Sequence, residues 1–490
     1  MDSTSKTGRK KLNRAGITVA KILGWCALGG LLSLLGAFIY LMENRADLSD
    51  WHSVRLNAEF VADNPAENFT DYLSIENQVF KQLDELVIQQ TPTGQQQLIN
   101  RFSRGSLSNP DRWPQNWNRT FELTTTNPEA GVLLLHGMSD SPYSLKGIGE
   151  RLSTDQNWVL GLRYPGHGTA PSGLTRLHWQ DMARAVELAM HHLREKVGNK
   201  PIYIIGYSVG GALAVHYALK ALNNPRLPGV KSMVLISPAI GVTSLAYLAV
   251  WQARLGHLLG LEKLEWTDIK LEYDPYKYNS FAVNAGDQVY RLTEEIDDLI
   301  KQRSEDNSLH KLPTLLAFQS SVDATVSSKA LTDNLFNRLS PGKHELVLFD
   351  INRQIDIEQV LQNDPKPILD DMLKNDELPF TLSVLRNLSE KSHKTSIIRK
   401  PVGGAPLEKI TTHLSWPKDI YSLSHVALPF SEQDDLYGKT GATSQSGIRL
   451  GNLALRGERG VLRIPPGDML RLRWNPFYPL IEQRILDFVK

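Results

Sequence analysis

Five consecutive residues, Gly206-Tyr207-Ser208-Val209-Gly210, have the makings of a reactive centre. A serine hydroxyl attacks an acyl carbon only when the chain lifts it clear of its neighbours and a base removes its proton. An apolar run at 202–205 precedes the turn, and the small residues Gly211, Ala212 and Ala214 begin a helical pattern after it. A turn this tight from strand to helix has no room for side chains two positions either side of the serine, and Gly206 and Gly210 have none. Ser208 would then stand at a helix N-terminus, where free N–H groups favour developing negative charge. With 35 glycines in 490 residues the five-residue pattern is weak by itself, and its strand-before, helix-after setting carries the argument.

Acyl transfer places charge on the carbonyl oxygen, so two backbone N–H groups must face it. Val209 supplies one candidate, and Met138, in the strand-ending turn His136-Gly137-Met138-Ser139-Asp140, supplies the other. The base needs an acid to fix its tautomer, and on a sheet of this kind the order is nucleophile, acid, base. Asp323 suits the acid role, a short loop beyond the apolar run 314–318. Asp350, directly after the run 345–349, competes with it. Among later histidines His425 and His413 are the candidates for the base. His425 is preferred because its surroundings read as a loop returning to the fold ahead of a final helix at 478–489. His167, in the turn Tyr164-Pro165-Gly166-His167-Gly168, reads as structural.

Such residues need a rigid platform. From about residue 119 short apolar runs alternate with longer periodic ones, the signature of a mostly parallel sheet with helices on both faces. Core strands are expected at 132–135, 158–162, 202–205, 233–236, 314–318 and 345–349, with helices at 179–196 and 210–221. Continuous Val, Ile and Leu suit strands buried on both faces. Two stretches exceed this plan. Residues 241–312 read as a helical cap that includes the Leu- and Ala-rich 245–261. Residues 351–423 form a second insertion, with a helical pattern at 358–373 and no visible role. Residues 43–118 read as a stalk or docking segment with a helix at 71–89, whose Leu73, Ile75, Val79, Leu83 and Leu86 share a face.

The 21 residues 22–42 carry no charge, and at about 1.5 Å per residue they span the ~30 Å hydrocarbon core. They read as a transmembrane signal anchor. Lys and Arg crowd residues 1–21, which predicts a cytoplasmic N-terminus and a catalytic domain on the periplasmic or extracellular side. Lys plus Arg number 54 against 53 Asp plus Glu, so no basic field exists to hold nucleic acid. The single cysteine, Cys26, excludes an internal disulfide and a cysteine-based metal cluster. Neither metal nor cofactor is expected.

The motifs at 136–138, 164–168 and 206–211, together with Asp323 and Ser424-His425, resemble the α/β-hydrolases of the monoacylglycerol lipase, carboxylesterase and serine aminopeptidase group. The resemblance covers about residues 130–349 and the tail near His425. It implies an α/β-hydrolase fold with nucleophile Ser208, acid Asp323, base His425, oxyanion donors at Met138 and Val209, and a cap over the site. The hundred or so residues between Asp323 and His425 exceed the usual separation in this group. A serine esterase acting on lipid-like or acylated substrates is expected. A peptidase of the aminopeptidase type, using Glu262, Glu265 or Asp268 for a substrate amine, is the alternative within enzymes. A catalytically silent, membrane-tethered binding protein is the alternative outside them.

Overall fold

The computed structural model describes residues 21–33, 36, 40, 43–63, 66–241, 262–354, 364–439, 448–451 and 471–490. The chain forms two compact units, Met1–Leu48 and Ser49–Lys490. In the first, residues 21–33 are helical, and Leu23, Trp25, Leu31 and Leu32 are each more than half exposed. Much of the remainder of the expected span lies outside the described residues. Among the described residues no helix is long and apolar enough to cross a membrane.

In the second unit the apolar runs become strands because runs of this kind lose most by staying in water. The strands are β1 (Phe121–Leu123), β2 (Ala130–Leu135), β3 (Asn157–Leu162), β4 (Ile202–Tyr207), β5 (Ser232–Ile236), β6 (Trp266–Asp268), β7 (Phe281–Ala282), β8 (Thr314–Ser320), β9 (Glu345–Phe349), β10 (Thr381–Asn387), β11 (Lys394–Lys400) and β12 (Glu408–Ser415). Ten of them form one sheet in the order β1-β3-β2-β4-β5-β8-β9-β10-β11-β12. From β3 to β10 every pairing is parallel, while β1, β11 and β12 pair antiparallel at the two edges. Every residue of β2, β4, β5 and β9 is buried, which is why these four read so clearly in sequence.

Besides a single turn at Asp50–Ser53, the α-helices of this unit among the described residues are α1 (Phe69–Leu83), α2 (Lys146–Ser153), α3 (Trp179–Val197), α4 (Val209–Ala221), α5 (Val283–Glu305), α6 (Ser328–Asn334), α7 (Lys366–Lys374) and α8 (Tyr478–Phe488). From Val209 to Leu219 α4 is buried all round, as its lack of a polar stripe requires. It packs against β4, α3 and α5.

Three expectations change. The second insertion is no appendage, since β10, β11 and β12 extend the sheet from β9. Ser383, Arg386 and Asn387 break the apolar run of β10. The Ser383 hydroxyl is satisfied by Glu345 Oε1 at 2.7 Å, so the strand stays buried. Residues 245–261 lie outside the described residues, as do 358–363 of the pattern at 358–373, whose described part is largely the helix α7. Helix α5 buries Val283, Leu292, Ile296 and Ile300 and packs on α4, so this part of 241–312 belongs to the body rather than to the expected cap.

The segment before β1 is docked on the sheet-and-helix body. Its helix α1 continues through a π-helical turn at Asp84–Ile88, and its buried face is Tyr72, Glu76, Val79, Phe80 and Leu83, while Leu86 is 48% exposed. The face is turned from the expected one because polar groups help to set it. The Glu76 carboxylate accepts from Thr120 Oγ1 at 2.7 Å, and Tyr72 donates its hydroxyl to the Arg163 carbonyl at 2.5 Å.

Candidate active site

Ser208 closes β4 and caps α4 with φ 55° and ψ −119°, a left-handed conformation that costs a non-glycine residue about 1–3 kcal/mol. Neighbouring bonds hold it there. Ser208 N–H donates to Ile236 O at 2.9 Å, and its carbonyl accepts from Ala239 N at 2.9 Å and Gly211 N at 3.0 Å. A Cβ on Gly206 would lie 2.4 Å from the Gly210 carbonyl oxygen, and one on Gly210 would lie 2.0 Å from that of Leu135. Both elbow glycines are therefore required by backbone, which cannot move aside as a side chain can.

Asp323 and His425 meet although 102 residues separate them: His425 Nδ1 lies 2.8 Å from Asp323 Oδ2. The other carboxylate oxygen accepts from Thr325 N at 2.8 Å and Val326 N at 3.0 Å, and Gln319 Nε2 donates to Oδ2 at 3.0 Å. Burial alone would raise the Asp323 carboxyl. The hydrogen bond and charge of His425, with the two N–H groups, outweigh it and hold the carboxyl below its usual range. A fixed carboxylate on Nδ1 directs Nε2 as the proton-accepting nitrogen.

Several residues that sequence reasoning passed over hold His425 in place. Tyr207 donates its hydroxyl to the His425 carbonyl at 3.4 Å, and its ring centroid lies 5.3 Å from the imidazole. Ser320 Oγ donates to Leu423 O at 3.0 Å, and Asn352 holds the same loop through Tyr421 O and Ile420 O. Ser424 Oγ donates to Leu472 O. No spacing rule could have found these contacts, because each joins segments remote in sequence.

The competing residues are occupied elsewhere. Asp350 is buried against Arg353, with Nη2 at 2.9 Å, and His413 is exposed on edge strand β12. His167 is buried, with Nδ1 3.0 Å from Pro165 O, and burial lowers its pKa to about 3. His136 is buried too. It accepts from Tyr164 N at 3.4 Å through Nε2 and pairs its Nδ1 with Gly137 O at 2.8 Å, which pins the turn carrying Met138.

Met138, Tyr207, Ser208 and His425 line one cavity of about 390 Å³, with Phe281 and Val289 among its apolar walls. Val209 is the first residue of α4, so its N–H has no carbonyl one turn earlier in the helix to donate to. The turn at 136–140 is held by Lys277 and Tyr278. Tyr278 N–H donates to Ser139 O at 2.8 Å, and Lys277 Nζ lies 2.9 Å from Asp140 Oδ1.

A mostly parallel sheet with a left-handed serine between its strand and helix, and an acid–histidine pair beyond later strands, is the architecture of an α/β-hydrolase. Residues 126–351 match the family model described as serine aminopeptidase, S33. Residues 126–351 thus have an α/β-hydrolase fold, and these matches support the lipase and esterase group that the motifs resemble. It is 28% identical over 120 residues to a thermostable monoacylglycerol lipase of Bacillus sp. strain H-257, covering 24% of this chain and 45% of the relative. The chain spans less than half the length of the curated relatives it matches. Among solved structures it is similar to the monoacylglycerol lipase of Paleococcus ferrophilus, with TM-score 0.35 and 18% identity over 47% of this chain and 87% of that one. A soluble variant of monoglyceride lipase from Saccharomyces cerevisiae gives TM-score 0.36 and 15% identity, over 47% and 81%.

Proposed function

We propose that this protein is a membrane-anchored serine hydrolase that cleaves carboxylic esters of lipid-like or acylated substrates through an acyl-enzyme on Ser208. The observation that carries the reading is the 2.8 Å contact of Asp323 with His425, which lines the same cavity as Ser208. In the first half-reaction His425 Nε2 takes the Ser208 proton as Oγ bonds to the ester carbon. The Met138 and Val209 N–H groups receive the charge on the carbonyl oxygen. Collapse breaks the bond to the alcohol, which leaves with the proton from Nε2. Water then repeats the sequence on the acyl-enzyme, releasing the acid and restoring Ser208.

The peptidase reading draws less support. Of Glu262, Glu265 and Asp268, Asp268 reaches the cavity, and Lys270 Nζ already lies 3.6 Å from its carboxylate. Membrane anchoring through residues 22–42 is supported by their uncharged composition, the basic residues before them and the exposure of Leu23, Trp25, Leu31 and Leu32. The same asymmetry supports a cytoplasmic N-terminus.

A panel of p-nitrophenyl esters of increasing acyl length, run beside aminoacyl amides, tests the reaction. Ester turnover that disappears in Ser208→Ala is expected, and amide turnover exceeding ester turnover would overturn the ester assignment. Protease added outside spheroplasts should digest the hydrolase unit, and full protection would contradict the orientation.

A further inference from the structure

We propose that the cavity beside Ser208 contains an anion subsite centred on Arg471, which selects esters carrying a carboxylate or phosphate group near the scissile bond. The proposal rests on the ester-hydrolase reading and names its substrate class. A cavity built only for a neutral acyl chain would be walled by apolar side chains, because charges are costly to take from water. This one is lined in addition by Lys270, Lys277, Arg471 and Arg473, against the carboxylates of Asp140 and Asp268.

Among the described residues, pairing the charges leaves one of these four cations, Arg471, facing a neutral group. Lys277 Nζ lies 2.9 Å from Asp140, and Lys270 Nζ lies 3.6 Å from Asp268. Arg473 Nη1 stands 3.9 Å from the fully buried Asp274. Arg471 instead donates from Nη2 to Thr325 Oγ1 at 3.0 Å, an uncharged partner. That bond occupies one guanidinium donor and leaves others for the bidentate grip on a carboxylate or phosphate that suits a planar fork.

Position strengthens the argument. Thr325 follows Asp323 by two residues, and the Thr325 N–H donates to the Asp323 carboxylate at 2.8 Å. The tether therefore holds Arg471 beside the loop that orients His425, in the cavity that Ser208 opens into. Arg473 lines the same cavity two residues on, so its positive charge adds to the field felt by an entering anion.

Two matched pairs of substrates test this. One is p-nitrophenyl butyrate against mono-p-nitrophenyl glutarate, which places the carboxylate on the acyl side. The other is a monoacylglycerol against the lysophosphatidate of the same chain, which places a phosphate on the alcohol side. The anionic member is expected to have the higher kcat/KM, by about tenfold or more, in at least one pair. That preference should shrink at least tenfold in Arg471→Gln and in part survive in Arg471→Lys. A neutral preference in both pairs, or an anionic preference unchanged in Arg471→Gln, would overturn the subsite. An enzyme that takes no fluorophosphonate label and hydrolyses neither pair contradicts the ester-hydrolase reading itself, and the subsite falls with it. A labelled enzyme that favours neutral esters contradicts the subsite alone.

Discussion

Ser208 is held in a conformation that its own backbone disfavours, and the glycines around it explain why it stays there. The 2.0 Å approach of a Cβ at Gly210 to the Leu135 carbonyl means that Gly210→Ala must push β2 and α4 apart. A loss of about 3 kcal/mol or more is expected, or failure to fold, read by chemical denaturation. Asp323 makes a different contribution. With Asn in its place the imidazole tautomer is no longer fixed, and kcat should fall roughly 10³- to 10⁴-fold in steady-state assays while the fold survives. His413→Ala, on the exposed edge strand, should leave turnover within about twofold of wild type. Gly210, Asp323 and the proposed base His425 were legible in sequence for separate reasons. The elbow demands glycine, the acid follows a strand, and the base must come last in the chain.

Between elements, the least legible feature is the strap 271–280, which fastens the turn at 136–140 to the rest of the molecule. It reaches the turn through Tyr278 N–H and Lys277. It is itself held by Ser108 Oγ on Tyr273 O at 2.6 Å, Asn118 Nδ2 on Pro275 O at 3.0 Å, and the Tyr437 hydroxyl on Asp274. The segment before β1 is thus tied, through the strap, to the turn that carries Met138. Lys277→Ala should lower kcat about ten- to a hundredfold, with the melting temperature little changed, because a donor displaced by an ångström loses most of its effect. Periodicity cannot register a strap of this kind, whose contacts are single hydrogen bonds and ion pairs. It also missed β10, where Ser383 and Asn387 are buried because partners satisfy them. The strands it found were those with continuous apolar runs.

At the scale of the molecule, buried histidines outside the proposed triad, His52, His167 and His216 among them, make the fold sensitive to acid. Burial lowers His52 and His216 to about 4 and His167 to about 3. The unfolded chain protonates such residues near ~6.5, so below that pH it binds more protons than the folded protein. Stability therefore falls as pH drops from ~6.5 towards about 4, and the melting temperature should fall with it in calorimetry across that range. The Asp323 carboxylate, held below its usual range, adds stability that is present above its unfolded pKa and lost only as pH falls through the lower folded value. Every catalytic step proposed here passes through a single oxygen. The most direct test is to label the purified full-length protein with a fluorophosphonate and map the modified peptide by mass spectrometry. The account predicts one phosphonylated residue, Ser208, and no label in Ser208→Ala. An unlabelled wild type, or label retained in the variant, would contradict it.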